Sequence, residues 1–185
     1  RLGARYELQP GAYRTTLKAG VGLFHDPPAP YESIEPLGTG SVHPSRAVHY
    51  SLGIEQRVAE ALEISVEGFY KDLQRLVVAV PDAQGSPSGL FYRNRGRGRA
   101  YGTETMIRYD AKGRFFGWLA YTLSRSERSE DPRLPLERFS FDQTHILTAL
   151  GSYRLGAGWP LGARFRYVTG SPSTPPRGGR RDYAA

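Results

Sequence analysis

The chain has 185 residues, one methionine and no cysteine, which excludes a disulfide scaffold, a thiolate metal site and a cysteine nucleophile. Its net charge of +7 comes from arginine, since only Lys18, Lys71 and Lys112 are lysines, and an arginine excess first suggests phosphate-bearing partners. A mean hydropathy of −0.49 without a long apolar run excludes a transmembrane helix.

No signal peptide opens the chain, and a start at Arg1 is what a trimmed or excised chain would show. The 22 glycines, 14 prolines and 12 tyrosines argue against a helical bundle. Hydrophobic periodicity is close to two nearly throughout, the period of a strand whose faces meet different surroundings. Leu2 to Leu8 reads as a strand cut at its start. Tyr13, Thr15, Leu17, Ala19, Val21 and Leu23 then alternate with Arg14, Thr16, Lys18, Gly20 and Gly22. Val48, Tyr50, Leu52 and Ile54 form the apolar face of the next strand, followed by Leu62, Ile64, Val66 and Tyr70. Ala59 to Leu62 also suits a helix between Val58 and Val66, but the strict alternation on both sides favours a turn.

Tyr101, Thr103, Thr105, Ile107 and Tyr109 alternate with Gly102, Glu104, Met106 and Arg108. Phe115, Leu119, Tyr121 and Leu123 mark another strand, Gln143 to Arg154 a weaker one, and Leu161, Ala163, Phe165 and Tyr167 the last. These are about eight aromatic and β-branched segments, an all-β antiparallel up-and-down meander without a second domain.

Connections alternate in length. Gln9–Ala12, Ala59–Ala61, Asp110–Gly113 and Gly156–Trp159 are tight, whereas His25–Ser45, Pro81–Arg97 and Arg125–Phe141 are long, and another long segment opens at Gly170. In a meander this puts every short turn on one rim and every long loop on the other, as in outer-membrane barrels. The apolar positions named above carry no charge, while Arg14, Lys18, Glu55, Glu63, Glu67, Lys71, Glu104, Arg108, Arg164 and Arg166 take the other face. A lipid-facing Arg or Lys costs about 2–4 kcal/mol at the bilayer midplane, so lipid would produce this sorting; a soluble barrel packed on its apolar face would produce it too. Tyr101 and Tyr109 bracket a span of roughly 20 Å, near the height of an apolar band edged by aromatics.

Enzymatic chemistry finds no constellation. His25, His43, His49 and His145 lack metal-ligand spacing. Glu127, Glu130, Asp131 and Glu137 alternate with Arg125, Arg128, Arg133 and Arg138 as a self-neutralising loop. The serines near Asp142 and His145 lack a nucleophile elbow. No catalytic, cofactor or metal site is expected. Tyr92 to Arg99 interleaves Arg and Gly as RNA-binding segments do, but the run is short and leads into a strand, so a lumen lining or a rim holding lipopolysaccharide phosphates is the better reading.

Three stretches carry a family resemblance. Asn94-Arg-Gly96-Arg-Gly-Arg-Ala-Tyr-Gly102-Thr-Glu104 resembles the Asn-x-Gly…Gly-x-Glu stretch of TonB-dependent outer-membrane receptors. Pro44 to Glu55 is similar to their Pro-led strand Tyr-x-x-Gly-x-Glu. Asp142-Gln-Thr-His145, with Tyr153, Gly162, Phe165, Tyr167 and Thr169-Gly170-Ser-Pro172, is similar to their Asp-Gln-x-His and Thr-Gly-x-Pro strand pair.

The resemblance implies a barrel of about 22 strands closed around an N-terminal plug, of which residues 1–185 would be a C-terminal portion lacking the plug and the last strands. It implies location in the bacterial outer membrane and import of a scarce ligand such as a siderophore or cobalamin. Expected partners are outer-membrane lipid and lipopolysaccharide, the plug, and TonB only through missing segments, with no nucleic acid. Arg14, Lys18, Glu67, Glu104, Arg108, Arg164 and Arg166 would face the lumen. The rival reading is a complete eight-stranded membrane barrel or a lipocalin-like binder.

Overall fold

The structure, a computed structural model, describes residues 1–9, 13–34, 40–81, 90–110 and 113–172. Its strands are β1 (Leu2–Gln9), β2 (Thr15–Asp26), β3 (Ser45–Ala59), β4 (Leu62–Pro81), β5 (Leu90–Asp110), β6 (Phe115–Ser129), β7 (Glu137–Arg138), β8 (His145–Arg154) and β9 (Pro160–Val168). All pairings are antiparallel, in the order β1-β2-β3-β4-β5-β6-β8-β9, and the two-residue β7 pairs with the outer end of β6. The eight longer strands are the eight alternating segments of the sequence. β1 and β9 form the two edges and make no ladder with each other, so the sheet is open. The rival reading as a small closed barrel fails on that topology.

The Ala59–Leu62 pairing closes a tight turn between β3 and β4, so the helical alternative at Val58–Val66 is not adopted. Two other segments differ from their sequence reading. Leu90 to Arg97, expected as loop, is strand, because the β4–β5 ladder continues outward to Pro81 and Leu90. The ladder accommodates register shifts between Leu73 and Val77, where Arg75 takes a φ of 52°. Gly96 lies against this bulge, where an added Cβ would stand 2.7 Å from a Val78 methyl. The Arg/Gly run is therefore ordered sheet and not a pliable nucleic-acid tail. The loop after β2 also holds one helical turn, α1 (Pro30–Ser33), whose first turn is closed by the Glu32 carboxylate accepting the Ala29 N–H at 2.8 Å.

Directly opposite residues in an antiparallel pair share a face, so the register defines the two surfaces. Leu17, Ile54, Val66, Thr105, Tyr121, Leu147 and Tyr167 form one row across seven strands. The row carrying Val21, Tyr50, Tyr70 and Tyr101 lies nearer the long loops. Lys18, Gly53, Glu67, Glu104 and Thr122 form a row on the opposite face.

No hydrophobic side chain is buried among the described residues. Leu52 is 68% exposed and Phe165 59%, whereas Thr16, Glu127, Ser129 and Asp142 are buried. This inverts the arrangement of a water-soluble domain, in which the apolar side chains go inside. It leaves an apolar face with no protein partner.

Close strand contact constrains some of the strand glycines and leaves others free. A Cβ on Gly102 would stand 2.8 Å from the Ser124 Cα and still closer to the Leu123 carbonyl oxygen. A Cβ on Gly68 would meet only the Leu52 carbonyl oxygen, at 3.9 Å. We expect Gly102→Ala to destabilise the sheet by about 1–3 kcal/mol, the usual cost of overpacking. Gly68→Ala should cost well under half of that. Thermal unfolding in detergent micelles, followed by heat-modifiable gel mobility, compares the two.

Candidate functional site: the polar face and the outer rim

The polar face is built in tiers. Near the short turns the Lys18 ammonium bonds the Glu55 carboxylate, which also takes the Arg5 guanidinium at 3.1 Å. Arg14 stands just before β2, where its carbonyl accepts the Arg57 N–H and its guanidinium lies 3.9 Å from Glu7. Arg108 pairs in register with Glu63 and reaches Asp110 at 3.5 Å. Arg164 and Arg166 oppose Leu150 and Thr148 on the edge strand β9. Glu67 and Glu104 oppose each other directly, and neither carries an ion pair among the described residues. The expected residues thus come together as one mixed-charge surface, except Arg14, which sits at the rim. Arg5 was not singled out in the sequence, although its alternation with Ala4 and Tyr6 already placed it on the polar side.

The motif residues at the other rim act as fasteners. The Asn94 side chain accepts the His43 N–H at 2.7 Å and donates to the His43 carbonyl at 2.7 Å and the Arg75 carbonyl at 2.9 Å. It therefore stands in for a strand backbone, tying the loop before β3 to the bulge in β4. Asp142, buried between β6 and β8, accepts the Ser126 N–H at 2.7 Å and Arg138 Nε at 2.8 Å. His145 Nδ1 lies 2.8 Å from the Tyr121 hydroxyl, and the His145 backbone exchanges hydrogen bonds with Thr169. A Cβ on Gly170 would meet nothing within 4 Å, so no steric demand explains that position.

Beyond the Tyr50–Tyr70–Tyr101 row the outer face becomes charged at once. Val48, Asp72, Arg99, Glu127 and Arg138 form the next row. Arg99 and Arg125 reach the Glu127 carboxylate at 2.6 and 2.7 Å. An apolar band topped by tyrosines and then by ion pairs is the profile of a bilayer-facing wall. Among the described residues no group of three His, Asp or Glu side chains could hold a metal ion.

A continuous antiparallel meander with an apolar band on its outer face, a polar inner face and all long connections on one rim defines the wall of a transmembrane β-barrel. The chain matches the family described as TonB dependent receptor-like, beta-barrel over residues 1–183. It belongs to that family, whose members are transporters and receptors of the outer membrane. Among solved structures it is similar to a copper transporter, OprC (19% identity, TM-score 0.64), covering 90% of this chain and 25% of that one. It is also similar to the ferric-catecholate import receptor Fiu of E. coli K12 (18%, 0.61; 90% and 24%) and to the FrpB iron transporter of Neisseria meningitidis (14%, 0.60; 90% and 26%). A comparison with curated protein sequences gave no match. The chain thus spans about a quarter of the length of the structures it resembles.

One electrostatic anchor in the loop after β6 has a defined pH response. Asp131 accepts Arg133 through its backbone and guanidinium and lies 3.5 Å from Arg95. These bonds, Arg133 first, hold the Asp131 carboxyl well below its ordinary range. A carboxyl lowered by folding stabilises the loop fully above its unfolded value of about 3.9, and that contribution is lost progressively as pH falls from there through the lower folded value. Hydrogen-exchange protection around residues 130–134 should therefore stay flat between pH 8 and 5 and drop below about pH 4. Asp131→Asn should abolish the drop.

Proposed function

We propose that this chain forms part of the barrel wall of an outer-membrane import receptor. In that reading the apolar face meets lipid, and the polar face lines the passage for a scarce ligand such as a siderophore or cobalamin. The observation that carries it is the inverted burial, with exposed Leu52 and Phe165 on one face and no apolar core among the described residues. At about 25 cal/mol per Å², an apolar face of this size is stable only against lipid or a large protein partner. The long loops would capture the ligand at the cell surface. Arg125, at the end of the tyrosine row, and Arg99, one row above it, stand where lipopolysaccharide phosphates would meet a guanidinium. Coupling to TonB would belong to other segments of the receptor.

The inner face bears on the plug. Like charges directly opposite across strands destabilise a sheet, so the Glu67–Glu104 pair implies cationic groups from whatever fills the lumen. The plug is the natural source. Lys18, Arg108, Arg164 and Arg166 would face the same plug or the water around it.

Two measurements test this reading. In intact cells, Leu119→Cys on the outer face should resist a water-soluble maleimide that labels Thr122→Cys on the inner face; equal labelling of both would refute insertion in lipid. In the full-length receptor, Glu67→Gln together with Glu104→Gln should loosen the plug and sensitise cells to large antibiotics normally excluded by the outer membrane. Unchanged sensitivity would remove these carboxylates from plug retention.

A further inference from the structure

β4 and β5 rise above their neighbours at the rim that carries the long loops. The outermost pair between β3 and β4 is Arg46–Gln74, and that between β5 and β6 is Arg97–Ser129. Beyond them, residues 76–81 and 90–96 pair with each other alone among the described residues, as a two-stranded ribbon. Its base is irregular: the register shifts between Leu73 and Val77, and Arg75 takes a φ of 52°, a conformation unfavourable for any residue but glycine. A two-stranded hairpin by itself is at best marginally stable in water, so this ribbon depends on what it is tied to.

It is tied to two loops far apart in the chain. On one side the Asn94 side chain takes both backbone groups of His43 at 2.7 Å, and the Tyr92 ring meets the Tyr31 ring of α1 edge-on at 6.3 Å. His43 and Tyr31 belong to the loop between β2 and β3. On the other side Arg95 lies 3.5 Å from the Asp131 carboxylate, and Arg97 donates to the Leu134 carbonyl at 3.2 Å. Asp131 and Leu134 belong to the loop after β6. No hydrogen bond or ion pair joins the two loops directly among the described residues. Packing between ribbon and loops is incomplete. A cleft of about 400 Å³ lies among Pro27, Pro28, Glu32, Leu76 and Val77, and one of about 510 Å³ among Val77, Val78, Ala79, Leu134, Pro135 and Phe139. Segments held by a few polar contacts without a packed core open at low free energy, and they open as cooperative units.

We infer that the β4–β5 ribbon is a strut that couples the two loops, so that they hold or release their positions as one unit. The inference rests on the reading of this rim as the capture side of the receptor, and it assigns how that side is organised. The physical route is short. Asn94 also donates to the Arg75 carbonyl at 2.9 Å, so one side chain holds both the first loop and the strained base of the ribbon. When it lets go, the ribbon pivots at the bulge and carries Arg95 and Arg97 away from Asp131 and Leu134. Release of Asp131 acts in the opposite direction, because a coupling between two equilibria is reciprocal.

Hydrogen exchange of the full-length receptor in detergent, read by mass spectrometry, tests the coupling. Asn94→Ala cuts the tie to the first loop, and protection of the Leu134 amide, bonded within the second loop to the Asp131 carbonyl, should fall by at least about fivefold. Asp131→Asn cuts the tie to the second loop and should lower protection of the Glu32 and Ile34 amides, bonded within the first, by a similar factor. Gly96→Ala, whose Cβ would stand 2.7 Å from a Val78 methyl at the pivot, should loosen both loops, whereas Gly170→Ala, with nothing within 4 Å, should loosen neither. Should Asn94→Ala fail to show heat-modifiable mobility, Tyr31→Ala, which removes the ring contact with Tyr92, is read in its place. A loss confined to the loop whose tie was cut, in either direction, overturns the inference. So does a Gly96→Ala variant that leaves both loops protected, or a Gly170→Ala variant that loosens both. The labelling contrast between Leu119→Cys and Thr122→Cys reads the membrane barrel independently, so loops that respond separately with that contrast intact remove the strut and spare the receptor reading.

Discussion

A polypeptide that crosses a bilayer must satisfy every backbone N–H and C=O internally, because lipid offers no partner. The ladders that join β1 through β9 meet that requirement everywhere except along the outward edges of β1 and β9. Once they are in place the pleat sends alternate side chains to opposite faces. Everything else follows from that geometry. Leu17, Ile54, Val66 and Leu147 can be placed against lipid only because Lys18, Glu55, Glu67 and Thr148 are simultaneously turned the other way.

The same constraint explains the unusual use of polar residues. Without an apolar interior, polar groups such as Asp142 pack out of solvent where they fasten loops to strands. Asn94 and Asp142 each make several hydrogen bonds to backbone and side chain at the rim, where ladders end and backbone groups would otherwise be left over. Net hydrogen-bond contributions of about 1 kcal/mol are modest singly, but at a rim they decide whether a long loop stays in place. The motifs that made the family recognisable are in large part these fasteners and the close-contact glycines between strands.

The meander, its eight long strands, the placement of turns and the shared face of Lys18, Glu55, Glu67, Glu104 and Arg108 were legible in the sequence, because period-two alternation and turn composition are local signals. Other features were not. The outward continuation of β4 and β5 was hidden because Pro81 to Arg97 reads as a loop, and its pairing depends on a bulge at Arg75 in a different strand. The short β7 depends on Arg138 being drawn toward Asp142. The opposition of Glu67 and Glu104 requires a register between two strands, which periodicity alone does not supply. Arg128 read as a member of a self-neutralising loop, yet it stands over Phe139 on the inner wall.

By itself the sequence determined which residues share a face, because the strand period is two and a side chain's direction is set within a few residues. It also determined the rim assignments, because short and long connections alternate along the chain. Only the tertiary structure decided which residues on a face become neighbours, since register is set between strands far apart in the chain. Whether a cation is cancelled by a carboxylate, as Lys18 is by Glu55, or left charged over a ring, as Lys71 is over Phe69, is a property of that register.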